Sequence, residues 1–89
     1  MKIEATITAP DSIEELAAHA RELDRLGYDS LLVPEAGHDP FLSQMILAEH
    51  TRRARIGTGT AISFPRSPFV TAQLAWHLQR FSRGRFVLG

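Results

Sequence analysis

The stretch Ile56-Gly-Thr-Gly-Thr-Ala-Ile-Ser-Phe-Pro-Arg-Ser-Pro68 decides the fold of this chain. Its apolar start predicts a buried strand, its glycines and threonines predict a loop, and Ser67-Pro68 predicts the first turn of a helix. The same succession occurs at residues 28–40, and residues 85–89 begin it once more. Junctions of this kind are typical of a repeating β/α fold, and in β/α barrels they carry the active site.

The remaining segments complete an alternation of strands and helices. Strands are predicted at residues 2–8, 28–33, 54–61 and 86–88, and helices at about 12–26, 41–50 and 68–82. Helix starts are indicated by Asp11 or Ser12, by Asp39-Pro40 and by Ser67-Pro68, and Gly27 is placed to end the first helix. The inward positions predicted for the second helix are Phe41, Met45 and Ala48, with Leu42 and Ile46 as further candidates. Those predicted for the third helix are Val70, Leu74, Leu78 and Phe81.

The order β-α-β-α-β-α-β with short connections predicts a parallel sheet with right-handed crossovers. An open doubly wound sheet and a β/α barrel both satisfy this pattern. A nucleotide-binding open sheet is not indicated, because neither of its sequence motifs, GxGxxG and GxxxxGK[ST], occurs. An open sheet of the response-regulator type is disfavoured, because no acidic cluster follows the first strand apart from Asp11.

Composition narrows the function classes. The 89 residues are 44% hydrophobic, which suits a packed core, and ten basic side chains balance ten acidic ones. A neutral chain argues against a nucleic-acid partner, which usually needs a basic face. The absence of cysteine excludes disulfides, a thiol nucleophile and a thiolate metal site within this sequence. No apolar run approaches the roughly 20 residues of a membrane span, so we expect a cytoplasmic protein.

Four motifs, in order, resemble the bacterial-luciferase-like flavin and deazaflavin oxidoreductases. They are Gly27-Tyr-Asp-Ser-Leu-Leu-Val-Pro-Glu35, Arg55-Ile-Gly-Thr-Gly-Thr60, Arg66-Ser-Pro68 with Ala72-Gln73, and Ser82-Arg-Gly-Arg-Phe-Val-Leu-Gly89. The resemblance covers essentially the whole chain, and residues 34–40 look most like the branch that uses coenzyme F-420, an 8-hydroxy-5-deazaflavin. The family fold is an eight-stranded β/α barrel. The resemblance therefore implies a partial (β/α)8 TIM barrel in which residues 1–89 are the N-terminal half, with strands one to four and helices one to three.

The resemblance also implies where the site residues lie. Glu35 and His38 follow the second strand, where they would hydrogen-bond the cofactor or move a proton to substrate. Thr58, Gly59 and Thr60 end the third strand, where glycine permits close approach to a flat ring. Relatives often carry a non-proline cis peptide near this place, and Gly59-Thr60 is its best position here. The alternatives are a solvated loop after the second strand and a glycine that merely lets the third strand curve.

Two further predictions concern Arg66 and metals. Ser67 and Pro68 predict a helix start, and Arg66 either belongs to that start, which is favoured, or reaches an anionic ligand group. The sequence shows no set of His, Asp and Glu with metal-ligand spacing, so no metal site is predicted.

The expected function is an oxidoreductase that uses coenzyme F-420 or FMN for hydride transfer to, or monooxygenation of, a small organic substrate. The family draws its cofactor-phosphate contacts largely from later strands, so the chain alone is expected to be inactive. The alternative is a non-catalytic β/α module that docks on itself or on a partner half-barrel. Four parallel strands leave two unpaired edges, which predicts self-association or a complementary half-barrel as partner.

Overall fold

The computed structural model describes residues 2–8, 12–35, 39–61 and 66–89. Strands and helices alternate, which confirms the predicted order. The elements are β1 (Glu4–Thr6), α1 (Ile13–Arg25), β2 (Ser30–Val33), α2 (Pro40–His50), β3 (Arg55–Thr58), α3 (Pro68–Phe81) and β4 (Phe86–Val87).

Each helix begins at a side chain that satisfies backbone N–H groups of its first turn. The Ser12 hydroxyl accepts the N–H of Glu15 at 3.3 Å, and the Asp39 carboxylate accepts the N–H of Leu42 at 2.7 Å. Ser67 caps α3 in the same way. A proline follows each of the last two caps at the first helical position, where no N–H is needed. These starts are as predicted, with Ser12 as the cap of α1 and position 11 outside the described residues.

The strands lie in the order β1-β2-β3-β4, and all neighbours are parallel. A doubly wound sheet reverses its strand order partway along the sheet, and this order shows no reversal. Successive right-handed crossovers in one direction put all the helices on one face, and α1 accordingly packs on α2 and α2 on α3. The pattern is the singly wound sheet of a β/α barrel rather than an open doubly wound sheet.

The two faces of the sheet differ in burial. One register row, formed by Ala5, Leu31, Ile56 and Phe86, faces the helices, and its last three members are buried in the core. The next row, formed by Thr6, Leu32, Gly57 and Val87, points to the opposite face, where Thr6 and Val87 are exposed. In a barrel this second face lines the interior.

The predicted buried rows of the second and third helices were partly wrong. In α2, Met45 is 51% exposed and Leu42 is 71% exposed, whereas Gln44 and Leu47 are fully buried. The helix is therefore turned so that Gln44 faces the sheet, and its amide Nε2 donates to the carbonyl oxygen of Gly57 at 2.8 Å. The Gln44 Oε1 atom is buried with no hydrogen-bond partner among the described residues.

In α3, the row Val70, Leu74, Leu78 and Phe81 was predicted to be buried, but only Leu78 is. The described residues place α2 against one side of α3 and no helix against the other, so much of its apolar surface meets solvent. An apolar groove between α2 and α3 results, lined mainly by Phe41, Leu42, Met45, Leu74, Leu78 and Phe81. No helix in the described part of the chain is long and apolar enough to cross a membrane.

Candidate functional site

The segments that follow β2 and β3 stay paired beyond the ends of the strands. The N–H of Gly59 donates to the Val33 carbonyl at 2.9 Å, and the N–H of Glu35 donates to the Thr60 carbonyl at 3.2 Å. The peptide bond between Gly59 and Thr60 is cis, which confirms its predicted position. Glu35 is thus brought next to the Gly59–Thr60 segment at the carboxyl edge of the sheet, where β/α barrels carry their sites.

Among the residues that the structure describes, three charged side chains meet at this edge, and we call Glu35, Asp39 and Arg66 the mouth cluster. The Arg66 guanidinium donates to both oxygens of Glu35, with Nη1–Oε1 at 2.6 Å and Nη2–Oε2 at 3.0 Å. Its Nη2 also donates to Asp39 Oδ1 at 3.1 Å, and its guanidinium carbon lies 5.0 Å from the centre of the Phe41 ring. The Arg66 and Glu35 side chains are 16% and 19% exposed, so the pair is largely sheltered from water.

The charges of the mouth cluster set its electrostatics. Hydrogen bonds to Glu35 raise the pKa of Arg66, burial opposes that shift, and Asp39 adds to it. One guanidinium faces two carboxylates, so the cluster carries one excess negative charge. Taken alone, these three charges disfavour a phosphate at this point, which counts against the idea that Arg66 reaches an anionic ligand group.

Thr58, Gly59 and Thr60 lie in different surroundings. The Thr58 side chain is buried, and its hydroxyl accepts the N–H of Gly89 at 3.0 Å, which ties β3 to the residues after β4. Gly59 is half-buried, and a Cβ at that position would lie 3.1 Å from the Cβ of Leu32. Thr60 is exposed. Of the three, Gly59 and Thr60 are the ones that a ligand at this edge can approach.

His38, the other candidate catalytic residue, lies outside the described residues. Within the parts of the chain that the structure describes, no group of three or more His, Asp or Glu side chains could hold a metal ion. The binding features of the described edge are therefore a glycine-containing backbone turn and an ion-paired carboxylate.

Sequence reasoning missed the partners of Arg66. Asp39 was predicted only as a helix cap, and Phe41 only as a core residue, yet both contact the guanidinium. A signal was present, because Glu35 and Arg66 each follow a predicted strand, and neighbouring parallel strands end at the same edge. The sequence did not show the strand order, and it is this order that makes β2 and β3 neighbours.

Comparison with known sequences gives one family. The sequence profile described as luciferase-like monooxygenase matches residues 1–89. An uncharacterised protein of Mycobacterium tuberculosis is 40% identical over 89 residues, which are 100% of this chain and 26% of that protein. The 4-hydroxyprotoasukamycin monooxygenase of Streptomyces nodosus subsp. asukaensis is 42% identical over 78 residues, which are 79% of this chain and 21% of that enzyme. The chain thus spans about a quarter of the length of these relatives.

Solved structures give the same fold. A monooxygenase from Streptomyces bottropensis superposes with a TM-score of 0.89 at 25% identity, over 100% of this chain and 32% of that one. The FMN complex of the oxygenating constituent of a Pseudomonas putida 3,6-diketocamphane monooxygenase gives 0.86 at 19% identity, over 100% and 29%. The coenzyme F-420-dependent tetrahydromethanopterin reductase of Methanopyrus kandleri gives 0.86 at 19% identity, over 99% and 26%. The chain has the fold of part of a TIM barrel, as predicted.

Proposed function

Because the chain belongs to the luciferase-like monooxygenase family, we propose that it is the N-terminal part of a barrel oxidoreductase that acts on a small organic substrate. One observation carries this proposal beyond family membership. The two loops at the carboxyl edge of β2 and β3 are joined through Glu35, Thr60 and Arg66, and this edge is where β/α barrels bind their substrates.

The proposed cofactor is FMN or coenzyme F-420. Support comes from the solved relatives, one described as a complex with FMN and another as dependent on coenzyme F-420. Among the described residues the mouth cluster does not favour a cofactor phosphate, but the partly exposed backbone at Gly59 and Thr60 is open to the approach of a flat ring. When bound, such a ring supplies hydride transfer or, with FMN, oxygen activation.

Each predicted site residue keeps a role in this proposal. Gly59 and Thr60 would contact the ring through their backbone, and Thr58 supports them by tying β3 to Gly89. Glu35 holds a hydrogen bond to the ring or the substrate, and His38 moves a proton to the substrate. Arg66 favours the ionised form of Glu35, so Glu35 acts as an acceptor and His38 as the proton donor.

The experiment is a fluorescence titration of FMN and of coenzyme F-420 into two proteins, the 89-residue chain and the longer protein that carries it. We expect one of the two rings to bind the longer protein. We expect weak or no binding to the 89 residues, since later strands supply most phosphate contacts in the family. Failure of both rings to bind the longer protein would refute the oxidoreductase proposal.

The second candidate is a non-catalytic assembly module that docks on itself or on a partner half-barrel. The described sheet has an outer edge at β1 and another at β4, and the α2–α3 groove exposes Met45 and Phe81, the latter to 56%. Unpaired edges and apolar patches both favour association. Sedimentation velocity of the 89-residue chain tests this candidate, and a single monomer boundary at high concentration counts against it.

A further inference from the structure

We propose that Arg66 is a positioning residue, which keeps the Glu35 carboxylate ionised and fixed in place at the barrel mouth. This inference rests on the proposed function, in which Glu35 contacts the ring or the substrate. Its starting point is the paired contact of the guanidinium with both Glu35 oxygens, at 2.6 and 3.0 Å. A two-point contact of this kind fixes the plane of a carboxylate as well as its distance.

The guanidinium is itself held by groups on α2. Asp39 accepts from Arg66 with Oδ1 and caps α2 with Oδ2, so its carboxylate is fixed by the helix that it starts. The ring of Phe41, which is buried in the first turn of the same helix, lies 5.0 Å from the guanidinium carbon. An arginine held on several sides loses little freedom when it binds a carboxylate, which makes it suited to orient Glu35.

Glu35 is also fixed through its backbone. Its N–H donates to the carbonyl of Thr60, in the segment that follows β3. Arg66, six residues after Thr60, binds the Glu35 side chain from the same segment. The backbone of Glu35 is thus held by Thr60 and its side chain by Arg66, two residues that both lie between β3 and α3. A carboxylate placed in this way has a set position relative to the Gly59–Thr60 backbone.

The charge of Arg66 determines the chemistry of Glu35. A guanidinium within hydrogen-bond distance favours the ionised carboxylate, and an ionised carboxylate only accepts hydrogen bonds. Glu35 is therefore expected to accept a hydrogen bond from an N–H or O–H group of the ring or the substrate across the neutral pH range. Without Arg66, the carboxyl group takes up a proton at a higher pH and loses that capacity.

The test compares Arg66→Gln and Arg66→Lys in the whole protein that carries this chain. Arg25→Gln is the matched control, since Arg25 also makes a two-point ion pair, with Glu22, on the exposed surface of α1. The first readout needs no cofactor and is the pH at which the carboxyl carbon resonance of Glu35 titrates by NMR. The second is the affinity for FMN and for coenzyme F-420 between pH 4 and 8.

We expect Arg66→Gln to move the Glu35 titration upward by about one pH unit, and Arg66→Lys to recover much of that shift. For the ring that binds the wild type, we expect Arg66→Gln to weaken affinity about two-fold at the pH where its Glu35 is half protonated, progressively more below that pH, and little at pH 8. Arg25→Gln should change neither readout.

An unchanged Glu35 titration in Arg66→Gln would overturn the proposal, as would an affinity loss of equal size at every pH, because a merely structural arginine would give the latter. If the wild type binds neither ring, the proposed function fails and this role for Glu35 fails with it. The NMR titration still shows in that case whether Arg66 controls the carboxylate, so the two failures are distinguishable.

Discussion

The Asp24 carboxylate near the end of α1 accepts a hydrogen bond from the backbone N–H of Ala54, 30 residues later, at 2.8 Å. The same carboxylate accepts the N–H groups of Arg52 at 2.9 Å and Arg53 at 3.2 Å. Three successive N–H groups of the turn between α2 and β3 are thus satisfied by one side chain. Asp24 fixes where β3 begins, at the opposite end of the sheet from the mouth cluster.

Replacing Asp24 with asparagine is expected to destabilise the protein by about 1–3 kcal/mol, because one carboxylate oxygen becomes an amide that donates where an acceptor is needed. The measurement is chemical denaturation of the purified protein. Asp29→Asn is the control, since Asp29 accepts only the Ile3 N–H among the described contacts and an amide oxygen can replace it. Equal losses in the two variants would contradict this role of Asp24.

Asp24 also predicts a pH dependence of stability. Burial alone would raise the pKa of Asp24, but the hydrogen bonds from Ala54, Arg52 and Arg53 outweigh it and lower the pKa. A carboxyl group with a lowered pKa stabilises the folded state fully above its unfolded value of about 3.9 and loses that contribution as the pH falls through its folded value. Thermal unfolding between pH 7 and 2 should therefore show the advantage of wild type over Asp24→Asn shrinking below about pH 4. An advantage that is constant with pH would refute this.

How far the sequence predicts this chain depends on the range of the interactions. The caps Ser12, Asp39 and Ser67 act within one helical turn, so local sequence was sufficient to find them. The rotation of α2 was missed because it depends on Gln44 reaching the Gly57 carbonyl, and a buried glutamine interrupts the apolar periodicity on which the prediction rested. The pairing of Glu35 with Arg66 joins residues 31 apart and follows only once β2 and β3 are known to be neighbours.

Arg85 is expected to be needed for stability rather than for chemistry. Its Nε donates to the Ser82 carbonyl, and its two Nη atoms donate to the Thr51 hydroxyl and to the carbonyls of Ala48, Thr51 and Ala54. These uncharged acceptors match the five donors of a guanidinium. Burial lowers the pKa of Arg85. The negative charge of Asp24 raises it, and the positive charge of Arg83 lowers it further.

Arg85→Lys is accordingly expected to lose about 2 kcal/mol of stability, since an ammonium has three donors and leaves buried carbonyls without partners. The measurement is the denaturation midpoint of the purified protein. The control is Arg52→Lys, which changes an exposed side chain in the turn before β3. If both variants unfold at the wild-type midpoint, the contacts of Arg85 contribute nothing net.

Gly57 is expected to tolerate no larger residue. A Cβ at this buried position would lie 2.5 Å from the Val87 carbonyl oxygen and 3.2 Å from Leu32 Cδ2. Gly57→Ala must therefore push β3 and β4 apart, and we expect a loss of about 1–3 kcal/mol. Gly27→Asn is the comparison for backbone strain without crowding, because no atom lies within 4 Å of a Cβ there and the cost of a side chain at Gly27 comes from its φ of +93°. A wild-type unfolding temperature for Gly57→Ala would contradict the crowding at Gly57.

The strand order β1-β2-β3-β4 bears on how the chain reaches its fold. Every strand pairs with the one before it, and paired positions are only about 25 to 30 residues apart, so closing each loop costs little entropy. A new strand thus finds its partner already made when it leaves the ribosome. The sheet can grow one repeat at a time in the direction of synthesis, without waiting for distant sequence.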